Sequence, residues 1–499
     1  MNKLYRHIPS FDKPNLNDLF LVSSEHRFSY ADLVQFQVGF SGLVNHKYRS
    51  AEEPIAFLAD SSDVLVLCIA SCWNLGIPFI PLSSKFTDDE IQEYLEILQP
   101  GLVLCDANNY ERVQNFPRLM LKKDLLKYIN PNNGSDVILK EMDVDFDADS
   151  IFGYFLTSGS TGPSKIVPLK RRQILFAVRA SEQNFKPDRN AFWLHCMPFN
   201  HIGGVSLIIR SLLYGSAIYR MSHFDTEEVF RQLATNFSIQ VASLVPTMLK
   251  RLLDLPNFQT HINFKAILLG GGPIAPALLE QALGKGVSVV PSYGMTETCA
   301  QIAANPVFLK NKESAALQSV GHLFEPNRVE IRDDQQNRVH SEETGTIWLK
   351  GPQIFDGYYD TEHNDSIFDE SGWFNTGDLG RIDANQNLFI ESRRSDLIIT
   401  GGENVIPLQV EEAIQELPNV KDVAVIGLPD LEWGQRVTAV IQLLPEENLT
   451  LKTLRLFLKS RLTPFKIPKQ LLLVDELPKT SSGKIKRNEL VERFSRSTA

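Results

Sequence analysis

Short apolar runs and longer helical segments alternate along the first 150 residues of the chain. The runs at 54–58, 78–82 and 101–105 are of strand length, whereas residues 64–75 suit a buried helix. A further helix is expected to begin near residues 28–33. Strands separated by helices of about ten or more residues are typical of βαβ units. The pattern therefore predicts a largely parallel sheet.

The same alternation resumes after residue 150. It predicts strands at 264–269 and 287–291, and between them a helix at 276–285 with one apolar face. The glycine-containing segments 270–273 and 293–297 each follow one of these strands. Open parallel sheets bind ligands beyond the carboxyl ends of their strands. We therefore expect both segments to lie beside one ligand site.

The last third of the chain changes character. Residues 320–392 contain short strand-like runs between polar turns, which predicts a small β-rich subdomain. From about residue 395 a new pattern predicts helices at 409–417 and 451–462 and strands at 420–427 and 437–444. We predict an α/β protein with a large N-terminal domain, residues 1–394, of parallel-rich βαβ sheets plus the β-rich subdomain. Residues 395–499 are predicted to form a small α+β domain.

The composition is that of a soluble globular protein. The chain has 499 residues, enough for about two to four domains or subdomains. It carries 50 Lys and Arg against 60 Asp and Glu, a net charge of −10. This charge argues against non-specific binding to nucleic acids or anionic membranes and favours a cytoplasmic enzyme. Any polyanionic ligand must therefore be held by local positive groups.

Neither export nor membrane insertion is expected. Residues 1–10 lack the apolar core and the small-residue cleavage site of a secretory signal. The most apolar region, 64–82, contains polar residues and two prolines, so a buried helix followed by a strand is predicted there. The five cysteines are few and scattered, which suggests neither a disulfide framework nor a zinc site. Cys68 and Cys72 share a helix face and are predicted to pack in the core.

A loop rich in glycine and hydroxyl groups suggests phosphate binding. A strand-like run at 154–156 precedes it, and Lys165 follows it. Its glycines let backbone N–H groups approach an anion, while its hydroxyls donate further hydrogen bonds. The P-loop of nucleotide hydrolases does not fit, because Ser164 replaces its second glycine and Ile166 replaces its metal-binding hydroxyl. The alternative is a polar turn between two strands.

Five stretches in order resemble the acyl-adenylate-forming superfamily of acyl-CoA ligases, luciferases and peptide-synthetase adenylation domains. They are 157–165 (TSGSTGPSK), 293–298 (YGMTET), 376–378 (TGD), 393–404 (RRSDLIITGGEN) and 478–484 (PKTSSGK). The resemblance covers essentially the whole chain. It implies that a carboxylic acid reacts with ATP to give an acyl-adenylate, from which a thiol then takes the acyl group. The implied ligands are ATP, Mg²⁺, coenzyme A and a small carboxylic acid.

The resemblance assigns the nucleotide site residue by residue. It implies that Thr296 contacts the α-phosphate and that Glu297 binds Mg²⁺, a task suited to a carboxylate. Tyr293 would stack on adenine, Asp378 would accept hydrogen bonds from the ribose hydroxyls, and Arg393 would contact ribose or phosphate. The other implied nucleotide-binding residues are Thr157, Ser158, Gly159, Ser160, Thr161, Gly162, Lys165, Gly271 and Gly272. Read alone, Glu297 fits a helix start, Asp378 a turn, Tyr293 the core and Arg393 a solvated surface.

The C-terminal motifs imply a mobile domain. Lys484, which by itself fits a solvated basic loop, would approach the carboxylate and the α-phosphate during adenylation and then withdraw. Ser395 occupies the hinge position, where the superfamily commonly has Asp or Lys. Gly401 and Gly402 would line the channel for the pantetheine arm of coenzyme A.

Less specific sequence features bear on the identity of the carboxylic acid substrate. The segment 198–215, with His201 and Arg210, the segment 268–273 and the serine at position 395 resemble the o-succinylbenzoate–CoA ligases of menaquinone and phylloquinone synthesis. Arg210 lies in an apolar helix-like segment, so it either forms a structural ion pair or binds the second carboxylate of a dicarboxylic acid. The alternatives are a fatty or aryl acyl-CoA ligase, a stand-alone adenylation enzyme and a non-enzymatic nucleotide-binding regulator. The oligomeric state stays open, with a homodimer as one alternative.

Overall fold

A computed structural model describes most of the chain. The described residues are 14–47, 53–129, 147–157, 165–184, 186–272, 274–305, 319–361, 364, 367–393, 396–400, 403–430, 433–480 and 483–495.

Strands and helices alternate in the described residues up to 129, as the sequence predicts. They are β1 (Leu19–Val22), β2 (Arg27–Ser29), α1 (Tyr30–Lys47), β3 (Ile55–Leu58), α2 (Asp63–Leu75), β4 (Phe79–Leu82), α3 (Asp88–Leu98), β5 (Leu102–Cys105), α4 (Tyr110–Val113) and β6 (Leu119–Leu121). Helix α2 begins where the Ser62 side chain accepts the Leu65 N–H, and it ends at Gly76 in a left-handed conformation. Cys68 and Cys72 of this helix are buried in the core.

The second group of elements lies between residues 147 and 305. They are β7 (Ile151–Thr157), β8 (Lys165–Lys170), α5 (Arg171–Asn184), β9 (Phe192–His195), α6 (Ile202–Tyr214), β10 (Ala217–Arg220), α7 (Thr226–Thr235), β11 (Ile239–Leu244), α8 (Pro246–Leu253), β12 (Ala266–Leu269), α9 (Pro276–Gly284), β13 (Val289–Met295) and β14 (Ala300–Ala304). Strand β13 extends beyond the predicted end at residue 291, because β14 pairs with its last four residues in antiparallel fashion.

The third group comprises β15 (His322–Leu323), β16 (Arg328–Arg332), β17 (Gly345–Lys350), β18 (Phe374–Ile382), β19 (Leu388–Arg393), β20 (Ile398–Thr400), β21 (Glu403–Val405), α10 (Pro407–Gln415), β22 (Val420–Asp430), β23 (Gly434–Leu443), α11 (Leu451–Leu458), β24 (Gln470–Leu473) and α12 (Arg487–Ser495). Helix α11 ends before the predicted residue 462. The last helical residue is Leu458, and the Lys459 N–H closes the helix by donating to the Arg455 carbonyl.

Two large sheets organise the N-terminal part of the described chain. One has the order β15-β14-β13-β12-β11-β9-β10-β1-β2, and the other has the order β6-β5-β3-β4-β7-β8. Pairing is parallel from β13 through β1 in the first sheet and from β6 through β7 in the second. One hydrophobic core joins both sheets through α1, α2, α5 and α6. The carboxyl ends of several parallel strands thus meet at one edge, where ligands are expected.

Two smaller sheets complete the described structure. Strands β16 to β19 form an antiparallel sheet in order, which is the predicted β-rich subdomain. Strands β20 to β24 form a mostly antiparallel sheet that packs α10 and α11 on one face and α12 on the other. The predicted fold class is thereby confirmed. The predicted domain boundary at 394–395 lies outside the described residues and stays a prediction. Within the described part of the chain, every helix is too short or too polar to cross a membrane.

Candidate active site

The glycine- and hydroxyl-rich loop joins two antiparallel strands. Thr157 ends β7 and pairs directly with Lys165, the first residue of β8. The Thr157 hydroxyl donates to the Lys165 carbonyl at 3.3 Å. A P-loop instead leads from a strand into a helix, so the hairpin agrees with the exclusion of a P-loop. Ser158, Gly159, Ser160, Thr161 and Gly162 lie outside the described residues.

The segment that carries Thr296 and Glu297 is a tight turn between β13 and β14. Residues Thr296–Thr298 form a short 3₁₀ helix, after which Cys299 and Ala300 have positive φ values of 55° and 77°. A side chain on Gly294 would place its Cβ 1.6 Å from the Ala300 carbonyl oxygen. Only glycine therefore permits the two strands to approach so closely. Left-handed backbone in non-glycine residues is strained, and such strain concentrates at functional sites.

Glu297 faces Lys165 across a tyrosine. The Glu297 side chain is 8% exposed, and its Oε1 accepts a hydrogen bond from the Tyr358 hydroxyl at 2.8 Å. The Lys165 ammonium lies 4.6 Å from the centre of the Tyr358 ring. Glu297 Oε2 accepts no hydrogen bond from the described residues. A buried carboxylate with one oxygen open to a ligand fits a hard cation such as Mg²⁺ in its chemistry.

Tyr293 and Asp378 form a buried pair where the large sheet meets the β-rich subdomain. The Tyr293 hydroxyl donates to Asp378 Oδ2 at 2.7 Å, and the two residues are 8% and 5% exposed. Asp378 lies in β18 opposite Arg393 in β19. The structure thus brings three predicted nucleotide-binding positions together. The Arg393 side chain is outside the described part of the structure.

A C-terminal loop closes over the carboxyl edge of the large sheet. The loop is held by a hydrogen bond from the Thr480 N–H to the Lys484 carbonyl at 2.7 Å. Gly483 has φ +80° there, and a Cβ on it would lie 2.6 Å from Thr247 Oγ1 at the start of α8. A cavity of 180 Å³ lies between the two parts, lined by Gly271 and Gly272 on one side and by Lys484 on the other.

The His201 imidazole lies where the positive charge of Lys484 acts on it. Burial and then the ammonium groups of Lys484 and Lys85 lower the pKa of His201 to about 4. His201 is the residue that precedes α6, and its Nε2 lies 3.3 Å from the Asn200 amide nitrogen. The imidazole is therefore neutral near pH 7, and Lys484 supplies positive charge to this edge of the sheet.

Arg210 is a buried cation without a carboxylate partner among the described residues. It lies on α6, is 3% exposed, and donates to Gln301 Oε1 at 3.2 Å. Its guanidinium lies 5.6 Å from the centre of the Trp193 indole. Arg210 Nε and Gln301 Nε2 are both buried, and neither has a hydrogen-bond partner among the described residues. The ion-pair alternative therefore finds no support in the described structure. The two unpaired donors are instead suited to bind an anionic ligand, because buried polar groups normally have hydrogen-bond partners.

Several of these residues were missed by sequence reasoning. Tyr358, Gln301, Gln353 and Lys85 belong to no motif that the pattern singled out, and only the fold brings them to the site. The buried Gln353 amide donates to the carbonyls of Thr298 and Gln301, each at 2.6 Å. Ser395, Gly401 and Gly402 lie outside the described residues, so their expected roles stay predictions.

Comparisons with known proteins agree on one family. The sequence profile described as "AMP-binding enzyme" matches residues 11–359, and its C-terminal-domain profile matches residues 409–484. A curated 2-succinylbenzoate–CoA ligase from Listeria monocytogenes serotype 4b is 36% identical over 448 residues, which are 89% of this chain and 90% of that protein.

Two solved structures of o-succinylbenzoate CoA synthetase from Bacillus subtilis also match, each at 29% identity. The complex with the acyl-adenylate intermediate has a TM-score of 0.84 and covers 97% of this chain and 96% of that one. The complex with ATP and magnesium ion has a TM-score of 0.83 and covers 95% and 97%. The likeness therefore extends over both the large and the small parts of the fold.

Proposed function

Because the chain belongs to the AMP-binding enzyme family, we propose that it activates 2-succinylbenzoate with ATP and transfers the acyl group to coenzyme A. The chain is an ATP-dependent acid–CoA ligase, as its curated relatives are. The observation that supports the dicarboxylic acid is Arg210, a buried cation whose polar partner within the described residues is the neutral Gln301. Leaving a buried charge uncompensated is costly, so a ligand carboxylate is the natural counter-charge.

The reaction has two steps. In the first, a carboxylate oxygen of the acid bonds to the α-phosphorus of ATP, and the bond from that phosphorus to the leaving oxygen breaks to release pyrophosphate. In the second, the thiol sulfur of coenzyme A bonds to the acyl carbon and gives its proton to solvent, while the bond from the acyl carbon to the AMP phosphate oxygen breaks and AMP leaves. Charge stabilisation is the main contribution that a protein makes to phosphoryl transfer.

The first step places negative charge on phosphate oxygens, and groups of the site could stabilise this charge. We propose that Lys165 and the loop that it ends hold the β- and γ-phosphates, that Thr296 contacts the α-phosphate, and that Glu297 is the ligand for Mg²⁺. A bound Mg²⁺ ion would neutralise charge on the phosphate oxygens. Tyr293 and Asp378 would bind adenine and ribose, with Arg393 beside them. Gly271 and Gly272 would form the wall next to the nucleotide.

The second step requires the thiol to reach the acyl carbon. In the described arrangement Lys484 lies at the carboxyl edge of the large sheet, where its charge acts on His201. We propose that this arrangement serves adenylation and that the C-terminal domain then turns at Ser395. Gly401 and Gly402 would thereby reach the site and line the channel for the pantetheine arm. His201, neutral near pH 7, would contact the acid as a polar but uncharged group.

For Glu297→Gln we expect ATP-dependent turnover to fall on the order of 100-fold, with only partial recovery at high Mg²⁺. The amide keeps the shape of the carboxylate but loses the negative charge that binds a hard cation. Initial rates across a magnesium titration measure this effect. An unchanged magnesium dependence would mean that another group binds the ion.

Pyrophosphate release from a panel of acids tests the proposed function. The panel contains 2-succinylbenzoate, fatty acids, aryl monoacids and amino acids, each with and without coenzyme A. We expect the fastest release with 2-succinylbenzoate, and we expect formation of its thioester when coenzyme A is present. A preference for fatty acids would favour a fatty acyl-CoA ligase, whereas activity that ignores coenzyme A would favour a stand-alone adenylation enzyme.

We also propose that the reaction takes place in the cytoplasm as a step of menaquinone or phylloquinone synthesis. The net charge of −10 and the use of ATP and coenzyme A support this location. A homodimer stays an open alternative for the oligomeric state.

A further inference from the structure

A short segment links the two sides of the proposed triphosphate site. Residues 354–359 follow β17 and run between β8 and the turn that carries Glu297. The Phe355 N–H donates to the Glu297 carbonyl at 2.9 Å, and the Tyr359 N–H donates to the Ile166 carbonyl at 2.9 Å. One end of this segment therefore holds the predicted metal ligand, and the other end holds the strand that begins with Lys165.

The segment is firmly anchored on the β8 side. Asp356 forms ion pairs with Lys170 at 2.8 Å and with Arg172 at 2.6 Å, and these cations lower the pKa of the half-buried Asp356 carboxyl against the effect of burial. The Gln173 amide donates to the Ile354 carbonyl at 2.8 Å. Such a network fixes the segment relative to the start of α5.

Tyr358, near the end of the segment, is held through its backbone. Asn364 Oδ1 accepts the Tyr358 N–H at 2.8 Å, and Asn364 Nδ2 donates to the Tyr358 carbonyl at 3.1 Å. The Tyr358 ring also packs edge-on against Phe355 with ring centres 5.0 Å apart. The side chain is thereby aimed between Glu297 and Lys165.

We infer that Tyr358 is a positioning residue for the triphosphate site: its hydroxyl orients the Glu297 carboxylate toward Mg²⁺, and its ring supports the Lys165 ammonium. The hydroxyl donates to Oε1 at 2.8 Å and so leaves Oε2 for the metal. The ammonium lies 4.6 Å from the ring centre, within the range of a cation–π contact. This inference rests on the proposed function, since it gives Glu297 and Lys165 their ligands.

Calorimetric binding of ATP without any acid substrate tests the inference, once with Mg²⁺ and once with a chelator. Tyr358→Phe removes the hydroxyl and keeps the ring, so the Kd for Mg·ATP should rise about 10-fold or more, as for other partners of metal ligands. The Kd for metal-free ATP should stay near the wild-type value. Tyr358→Leu should in addition weaken metal-free ATP about two- to fivefold, because the cation–π contact is lost.

Tyr359→Phe is the matched control. The Tyr359 ring packs against Tyr154, and its hydroxyl makes no hydrogen bond within the described residues. This variant should bind both forms of ATP as the wild type does. The ratio of the two Kd values is internal to each variant, so a partly unfolded sample does not imitate the expected effect.

The outcomes distinguish a failure of the role of Tyr358 from a failure of the proposed function. Equal or tighter Mg·ATP binding by Tyr358→Phe, with a wild type that binds Mg·ATP, would overturn the role of Tyr358 and leave the proposed function intact. A wild type that binds neither form of ATP would overturn both.

Discussion

Replacing Lys484 with alanine is expected to abolish adenylation while leaving thioester formation from a presynthesised acyl-adenylate largely intact. The lysine lies close enough to His201 to lower its pKa, at the edge where the carboxylate and the α-phosphate would meet. Removing one group that stabilises charge in a transition state costs on the order of 10² to 10³ in rate. Separate assays of pyrophosphate exchange and of thioester formation measure the two half-reactions.

Lys486→Ala is the matched control for this experiment. Lys486 lies two residues further on, is half exposed and pairs with Glu489 at 3.4 Å. Both half-reactions should be unaffected in that variant. Equal losses in both half-reactions for Lys484→Ala would contradict the idea that the C-terminal domain adopts two working arrangements.

For Arg210→Ala we expect a large rise in the KM for the dicarboxylic acid and little change in the KM for ATP. Truncating one partner of a buried charge pair costs about 2 kcal/mol or more, which is roughly 30-fold or more in affinity. Burial lowers the pKa of Arg210, and no carboxylate of the described residues pairs with it, so a ligand carboxylate would stabilise its charged form. Steady-state kinetics with each substrate varied in turn measure the effect.

Arg179→Ala provides the comparison. Arg179 lies on α5, near the same Tyr214 as Arg210, and faces Glu182 at 3.9 Å. Its loss should leave the KM for the acid unchanged. A thermal melt of Arg210→Ala distinguishes a lost ligand contact from unfolding. A variant that is folded and has a wild-type KM for the acid would show that Arg210 does not bind substrate.

Local pattern was sufficient to predict some strands of the two large sheets, among them β3, β4, β5 and β12, but not β9, β10 or β11. The buried runs of β3, β4 and β5 and the length of α2 are dictated by apolar periodicity, which is visible in the sequence. The end of β13 could not be predicted from the sequence. Its last residues pair with β14, and a local pattern of residues does not reveal such pairing. Element ends depend on such tertiary partners.

The candidate site likewise contains residues that the sequence reveals and residues that only the fold reveals. Glu297, Asp378 and Lys484 stand in motifs and could be singled out from the sequence by resemblance. Tyr358 could not, because its partners Glu297 and Lys165 lie 61 and 193 residues away along the chain. The surroundings of Arg210 were equally hidden. Only the packing of α6 against β14 shows that Arg210 has Gln301 as its partner. It also shows that no carboxylate of the described residues pairs with the Arg210 charge.

The most direct test of the account is the discrimination between 2-succinylbenzoate and its two analogues that each lack one carboxyl group. A substrate must keep the carboxyl group that is adenylated, and the other carboxyl group is the proposed ligand of Arg210. With the wild type, we expect kcat/KM for pyrophosphate release to be roughly 30-fold or more higher for the dicarboxylate than for either analogue. Arg210→Ala should remove most of the advantage over the analogue that retains the adenylated group. A wild type that uses that monocarboxylate as well as the dicarboxylate would contradict the account.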